Sequence, residues 1–208
     1  MSRCRYSWPA LLSLALVCAS PAGARETPVR SLLEMRQANV VIQKWDLSCG
    51  AAALTTLLNH QHGENLSERE VAVVLMNRPE YIDHPELIHI RQGFSLLDLK
   101  RFVEQRGYKG VGFGRMTLEN LIAKAPALVP IRVKDYNHFV VFRGARGNRV
   151  LLADPAWGNR TMLIEQFERS WIDYPKIGRV AFAVVRADGQ PPRASMLEPR
   201  DEDFVMLR

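Results

Sequence analysis

Apolar positions along the chain keep a helical rhythm up to about Lys124 and come in short β-type runs after it. Cys49 opens the window CGAAALTTLLN, rich in Ala and Leu, which predicts a buried helix ending near Asn59. Ser67-Glu68-Arg69-Glu70 has the form of a capping box, with Leu66 and Val71 placed as its hydrophobic staple. A helix is expected from there to about Met76. Ser95 to Asp98 repeats the device with Asp in the Glu position and Phe94 and Leu99 as staple partners, and Gly107 is suited to end that helix. Thr117 caps a shorter helix running to Lys124. Ahead of these, residues 25–37 read as a loose segment or a short helix, and Asn39 to Ile42 as a candidate strand.

The second half reads differently. Ala127–Val133, His138–Arg143, Arg149–Ala153 and Arg179–Val185 are rich in Val, Phe, Leu and Ile, and a helix from about Ile164 to Trp171 precedes the last of them. Gly144, Gly147 and Asn148 supply turn chemistry between the middle two, which predicts an antiparallel hairpin. Gly110, Gly112 and Gly114 do not make GxGxxG and read as a tight strand and turn. Helices first and strands later predict an α+β fold, with N-terminal helices packed on a C-terminal antiparallel sheet. One domain is expected over residues 25–186, and residues 187–208 form a polar, proline-containing tail expected to be flexible.

With 208 residues, 47% hydrophobic and 24% charged, the chain is excluded from the collagen-like, low-complexity and wholly disordered classes. The net charge of +6 is scattered over both signs without interleaved aromatics, which makes no case for nucleic acid. Met1 to Ala24 reads as a signal peptide. Arg3 and Arg5 start it, Trp8 to Ala19 is mostly apolar, and Ala22-Gly23-Ala24 forms a small-residue cleavage site. That stretch is shorter than the roughly 20 residues a membrane-spanning helix needs. The expectation is export to the periplasm, cleavage after Ala24 and no stable membrane insertion afterwards. Cleavage removes Cys4 and Cys18 and leaves Cys49 without a disulfide partner.

An arbitrary lone cysteine is ordinarily structural, but the position of Cys49 argues for chemistry. It opens a helix just after Asp46 and Ser48, either of which could cap it. Unpaired backbone N–H groups and the helix dipole there favour a thiolate, and Gly50 leaves room beside the sulfur. A thiolate nucleophile works with a histidine base that is itself oriented by a carboxylate or amide. Of the five histidines, His60, His62, His84 and His89 fall in polar or proline-containing stretches that read as surface loops and lack zinc-site spacing. His138 instead opens the β-type run to Phe142.

With Gly144 to Asn148 as a five-residue loop, Arg143 faces Arg149 and His138 faces Asp154. Their Cβ atoms would then lie roughly 5 Å apart. In that arrangement Asp154 accepts the imidazole Nδ1–H and leaves Nε2 towards the sulfur. Asp154-Pro155 also has the form of a turn start, and Asp135 and Asn137 are assigned to the turn before His138. Acyl transfer further needs donors for the developing oxyanion. The Cys49 N–H is one candidate and the Gln43 side chain another, although a glutamine near a loop is ordinarily just solvated.

Taken together, three segments resemble the peptidase C39 family, papain-like cysteine proteases best known for removing leader peptides after a double glycine. They are Gln43-Lys44-Trp45-Asp46-Leu47-Ser48-Cys49-Gly50-Ala51-Ala52, Asn137-His138-Phe139-Val140-Val141 and Asp154-Pro155-Ala156-Trp157-Gly158. The resemblance extends from about Asn39 to Val185, supported by Gly93 to Leu99 and by Phe167 and Trp171. It implies a papain-like fold, Cys49 as nucleophile, His138 as general base and acid, Asp154 as its orienter and Gln43 as oxyanion donor. The signal peptide, the absence of a GxxxxGK[ST] loop, and Asp46-Leu47-Ser48-Cys49 in place of a compact Asp-Cys resemble the stand-alone exported branch. That branch includes the protease encoded with functional-amyloid secretion systems.

The leading expectation is a periplasmic cysteine endopeptidase that cleaves or matures an exported polypeptide, of the amyloid-system or double-glycine type. It is expected to need no cofactor or metal, and to meet its polypeptide substrate and components of an outer-membrane secretion system. Two other readings stand beside it. One is an amidase or transpeptidase acting on cell-wall peptides with the same triad, and the other a non-enzymatic binding or chaperone-like module on a papain-like scaffold.

Overall fold

The computed structural model describes residues 30–207, so the expected signal peptide and its two cysteines lie outside the described residues. α1 (Leu32–Gln37) starts at Ser31, where Ser31 and Glu34 form a full capping box. α2 (Cys49–His62) is buried along nearly its whole length and ends at Gly63, which takes φ of 73° and donates to the Asn59 carbonyl. α3 (Glu68–Met76) and α6 (Leu96–Gln105) begin at the capping boxes read from Ser67 and Ser95. Between them lie the short α4 (Pro79–Asp83) and α5 (Leu87–Ile90). Gly107 follows α6 with φ of 80°, the left-handed conformation that ends helices at little cost for glycine. Thr117 caps α7 (Leu118–Ile122) by accepting from the Asn120 N–H.

The strands are β1 (Tyr108–Phe113), β2 (Ala127–Val133), β3 (Tyr136–Arg146), β4 (Arg149–Asp154), β5 (Gly158–Leu163) and β8 (Ala181–Arg186), joined in one antiparallel sheet of order β1-β8-β2-β3-β4-β5. α8 (Ile164–Ser170) and the small ribbon of β6 (Asp173–Tyr174) and β7 (Gly178–Arg179) lie between β5 and β8, and α9 (Asp201–Met206) closes the described chain. Alternation along the strands supplies two cores. Leu128, Val141, Ala153 and Phe182 pack with α2, α3 and α6, while Val129, Val140, Phe142 and Leu152 pack with Phe167, Trp171 and Leu121. The architecture is the expected α+β.

Four local expectations need correction. Asn39 to Ile42 is not a strand, because the Val41 N–H is taken by the Thr56 hydroxyl on α2 at 3.0 Å. β5 has no counterpart among the expected strands, since Asn159, Arg160 and Thr161 give it no apolar alternation. His62 is not in a solvated loop: it is buried at the end of α2, with Nε2 3.1 Å from the Val184 carbonyl. The β3–β4 turn is Gly147-Asn148, with Arg146 paired to Arg149, and the register shifts at Arg143 between Phe142 and Gly144. Such a bulge matters because a one-residue shift moves every later side chain to the other face.

The segment after Arg186 also differs from the loose tail expected of it. Leu197 is fully buried in the core, and Phe204 and Leu207 pack with Met35 and Leu151. Buried Arg143, the extra residue of the bulge, holds the segment down. Its Nε donates to the Leu197 carbonyl at 2.9 Å, Nη2 to the Glu198 carbonyl at 3.1 Å, and Nη1 to Asn159 Oδ1 at 2.7 Å. Asp203 supplies a carboxylate 3.7 Å away. A buried charge removed from such a set leaves its partners unsatisfied, at roughly 3–5 kcal/mol. Arg143→Met is therefore expected to lower the unfolding free energy in urea by about 3 kcal/mol and to expose the 187–207 segment to proteolysis first.

Candidate active site

Cys49 is carried to the sheet by contacts of its neighbours. A Cβ placed on Gly50 would lie 3.3 Å from the Phe139 ring, so α2 seats its first turn against the residue that follows His138. The loop before Cys49 is tied down by buried Glu68, at the start of α3, whose carboxylate accepts the Lys44 N–H at 3.0 and 3.1 Å. Ser48 Oγ lies 2.5 Å from Glu68 Oε1 and 2.6 Å from the Trp45 carbonyl. The Ser48 side chain therefore makes no capping bond to α2, contrary to one of the two caps expected. Leu47 takes φ of 65°, and its carbonyl fills the space where a Cβ on Gly93 would sit, 2.9 Å away.

The structure brings Cys49, His138 and Asp154 together, with 2%, 2% and 0% of their surfaces exposed. His138 Nε2 lies 2.7 Å from Asp154 Oδ1, and the Cys49 side chain is a further hydrogen-bond partner of the ring. The nitrogens are thus exchanged relative to the expectation, with Nε2 on the carboxylate and Nδ1 3.3 Å from the Tyr136 hydroxyl. The reason is register. The last ladder pair is Val141↔Ala153, so Asp154 lies diagonal to His138 rather than opposite it. Because the bulge offsets the short turn, both still share a face.

Asp154 Oδ1 also accepts the Ala156 N–H at 2.9 Å, and Oδ2 accepts Arg160 Nε at 2.8 Å. Gln43 is anchored to the same turn, its N–H donating to the Pro155 carbonyl at 2.9 Å. Its side-chain Nε2 donates to the Trp45 carbonyl at 3.3 Å, and among the described residues its buried Oε1 has no partner.

Burial disfavours a charged imidazole, but the hydrogen bonds and negative charges of Asp154 and Cys49 outweigh it and raise His138 to about 9. Burial likewise opposes the Asp154 carboxylate, and His138, Arg160 and the Ala156 N–H together hold it below its usual range. Burial also raises the Tyr136 hydroxyl, aided by the charges of Cys49 and Asp154.

Three residues of the site were missed from the sequence. Tyr136, with Oη 3.3 Å from His138 Nδ1 and its ring edge-on at 5.7 Å, was accessible by alternation, which puts it on the face of His138. Glu68 was hidden inside a capping box that Ser67 and Glu70 already explain. Arg160 had no place without β5.

The Peptidase C39 family model matches residues 37–175, a stretch that contains all four expected site residues. The chain belongs to the peptidase C39 family. A probable functional amyloid protease FapD of Pseudomonas aeruginosa is 36% identical over 157 residues, covering 76% of this chain and 65% of that protein. The FapD of Pseudomonas fluorescens is 34% identical over 197 residues, covering 93% of this chain and 79% of that protein. The chain therefore spans just under two thirds of the first relative's length. Among solved structures, the peptidase domain of Streptococcus ComA, a bi-functional ABC transporter, shares the fold with TM-score 0.56 at 19% identity, over 72% of this chain and 99% of that one. A double glycine motif protease from an AMS/PCAT transporter, in complex with a leader peptide, gives 0.55 at 22% identity over 71% and 90%. Among the described residues no helix is long and apolar enough to cross a membrane.

The His138 shift has a consequence for stability. A group held above its unfolded value of 6.5 contributes stability that is complete below pH 6.5 and is lost as pH rises through about 9. The wild type is expected to lose up to about 3 kcal/mol across that window relative to His138→Gln. Urea unfolding at pH 6, 7.5 and 9.5 measures the difference, and parallel curves would contradict it.

Proposed function

We propose that this member of the family is a periplasmic cysteine endopeptidase that cleaves or matures an exported polypeptide. The observation that carries the reading is the buried chain of Cys49, His138 and Asp154, with the imidazole held between the carboxylate and the thiol. In this mechanism Cys49 Sγ attacks the scissile carbonyl as a thiolate, while its proton resides on His138 Nδ1. The tetrahedral oxyanion is met by the Cys49 N–H and by the Gln43 amide, which turns from the Trp45 carbonyl. His138 then gives its proton to the leaving amine, and the acyl-enzyme is hydrolysed by a water that His138 deprotonates.

A groove of about 290 Å³ is lined by Trp45, Leu47, Ser48, Met76, Ile88 and Phe94, and Ser48 is the residue before Cys49 in the chain. It suits apolar side chains of an extended polypeptide better than a sugar or a nucleotide. The FapD names of the relatives support a substrate from a functional-amyloid system, and a component of such a secretion apparatus would then be the partner.

Cys49→Ala is expected to abolish cleavage of a peptide library, read by mass spectrometry, while leaving the far-ultraviolet circular dichroism unchanged. Retained cleavage would end the assignment. Gln43→Ala is expected to lower kcat by about 10²–10³ with a smaller effect on KM, the signature of a lost oxyanion donor.

A further inference from the structure

Asp154 is wholly buried, yet one of its oxygens faces away from the reacting pair. Oδ1 serves His138 Nε2 at 2.7 Å and the Ala156 N–H at 2.9 Å. Oδ2 is reached by Arg160 Nε at 2.8 Å, from a β5 side chain that is 28% exposed. Arg160 pairs in the ladder with Leu152, two residues before Asp154 on β4, so strand alternation aims both side chains to one face. The charged or titratable groups facing the carboxylate and imidazole are Arg160 from β5, Tyr136 from β3 and Cys49 from α2. Among the described residues, Arg160 is the one permanent cation bonded to Asp154.

We propose that Arg160 is a positioning residue of the active site, which pins the second oxygen of Asp154 and remains its countercharge whenever His138 is neutral. The inference rests on the peptidase reading above. That cycle requires the imidazole to give its proton to the leaving amine and later to take one from water. Each time His138 is neutral, a carboxylate without Arg160 would be a buried, uncompensated charge, a costly state that the imidazole can relieve by keeping its proton. With the guanidinium in place, Asp154 stays paired throughout, and His138 can release its proton.

The test follows the His138 Cε1–H resonance by NMR from pH 5 to 11 in the wild type, Arg160→Gln, Arg160→Met and Arg160→Lys. Alkylation of Cys49 by iodoacetamide, resolved from other cysteines by peptide mass spectrometry, is measured alongside. The wild-type ring is expected to titrate near 9. Loss of the cation in the Gln and Met variants is expected to raise that value by about one unit, and Lys to restore it to within a few tenths. A variant that merely loosened the fold would hydrate the site and would not raise the titration. An unchanged or lowered value in Arg160→Gln overturns the inference. Should that variant not fold, Arg160→Met, which keeps the aliphatic stem, decides the question by the same shift. Alkylation that is indifferent to His138→Ala would instead overturn the catalytic pair itself, and the role of Arg160 with it.

Discussion

A carboxylate with no solvent exposure must find all its hydrogen bonds inside the protein, and Asp154 imposes that requirement on the structure around it. Its donors come from three places: His138 on β3, Ala156 in the turn after β4, and Arg160 on β5. Meeting them demands that three adjacent strands hold one relative register. The turn that carries Ala156 also offers the Pro155 carbonyl to the Gln43 N–H, so the loop leading to Cys49 is fastened beside the same carboxylate. Asp154 is thus a structural node as well as a neighbour of His138.

The register depends on one residue. A two-residue turn at Gly147-Asn148, propagated without interruption, would have sent Asp154 to the opposite face from His138. The bulge at Arg143 absorbs the odd residue, and the side chain it frees is the buried guanidinium that captures the C-terminal segment. One irregularity therefore aligns Asp154 with His138 and anchors the chain end. The same segment binds the end of α2, where the His60 and Gln61 carbonyls accept N–H groups of Met196 and Ala194. The segment thus bridges the helix that carries Cys49 and the strand that carries His138.

On the helical side, Glu68 settles a competition for Ser48. A serine before a helix would ordinarily cap it, but here the hydroxyl is drawn to Glu68 and the Trp45 carbonyl. The loop gains a fixed shape, and the Ser48 hydroxyl makes no bond to the N–H groups at the start of α2. Gly50 against Phe139 then sets the approach of the two layers.

Much of this was legible beforehand. The capping boxes at Ser67 and Ser95, the cap at Thr117 and the stop at Gly107 are local devices, and each acts where its residues predict. That Cys49, His138 and Asp154 would meet was legible because their chemistry narrows the candidates and alternation constrains their faces. What failed was whatever depends on partners distant in the chain. β5 shows no alternation because its polar residues serve α1, Asp154 and the chain end. The tail looks polar because a few residues, Leu197 among them, do its docking. The choice of Nε2 over Nδ1, and the presence of Arg160 and Glu68, follow from a bulge and from side chains meeting across separate elements. Residue types and local spacing determined which groups were candidates for chemistry. Only the packed sheet, through its register and the burial of a charge that had to be satisfied, decided which atoms face one another.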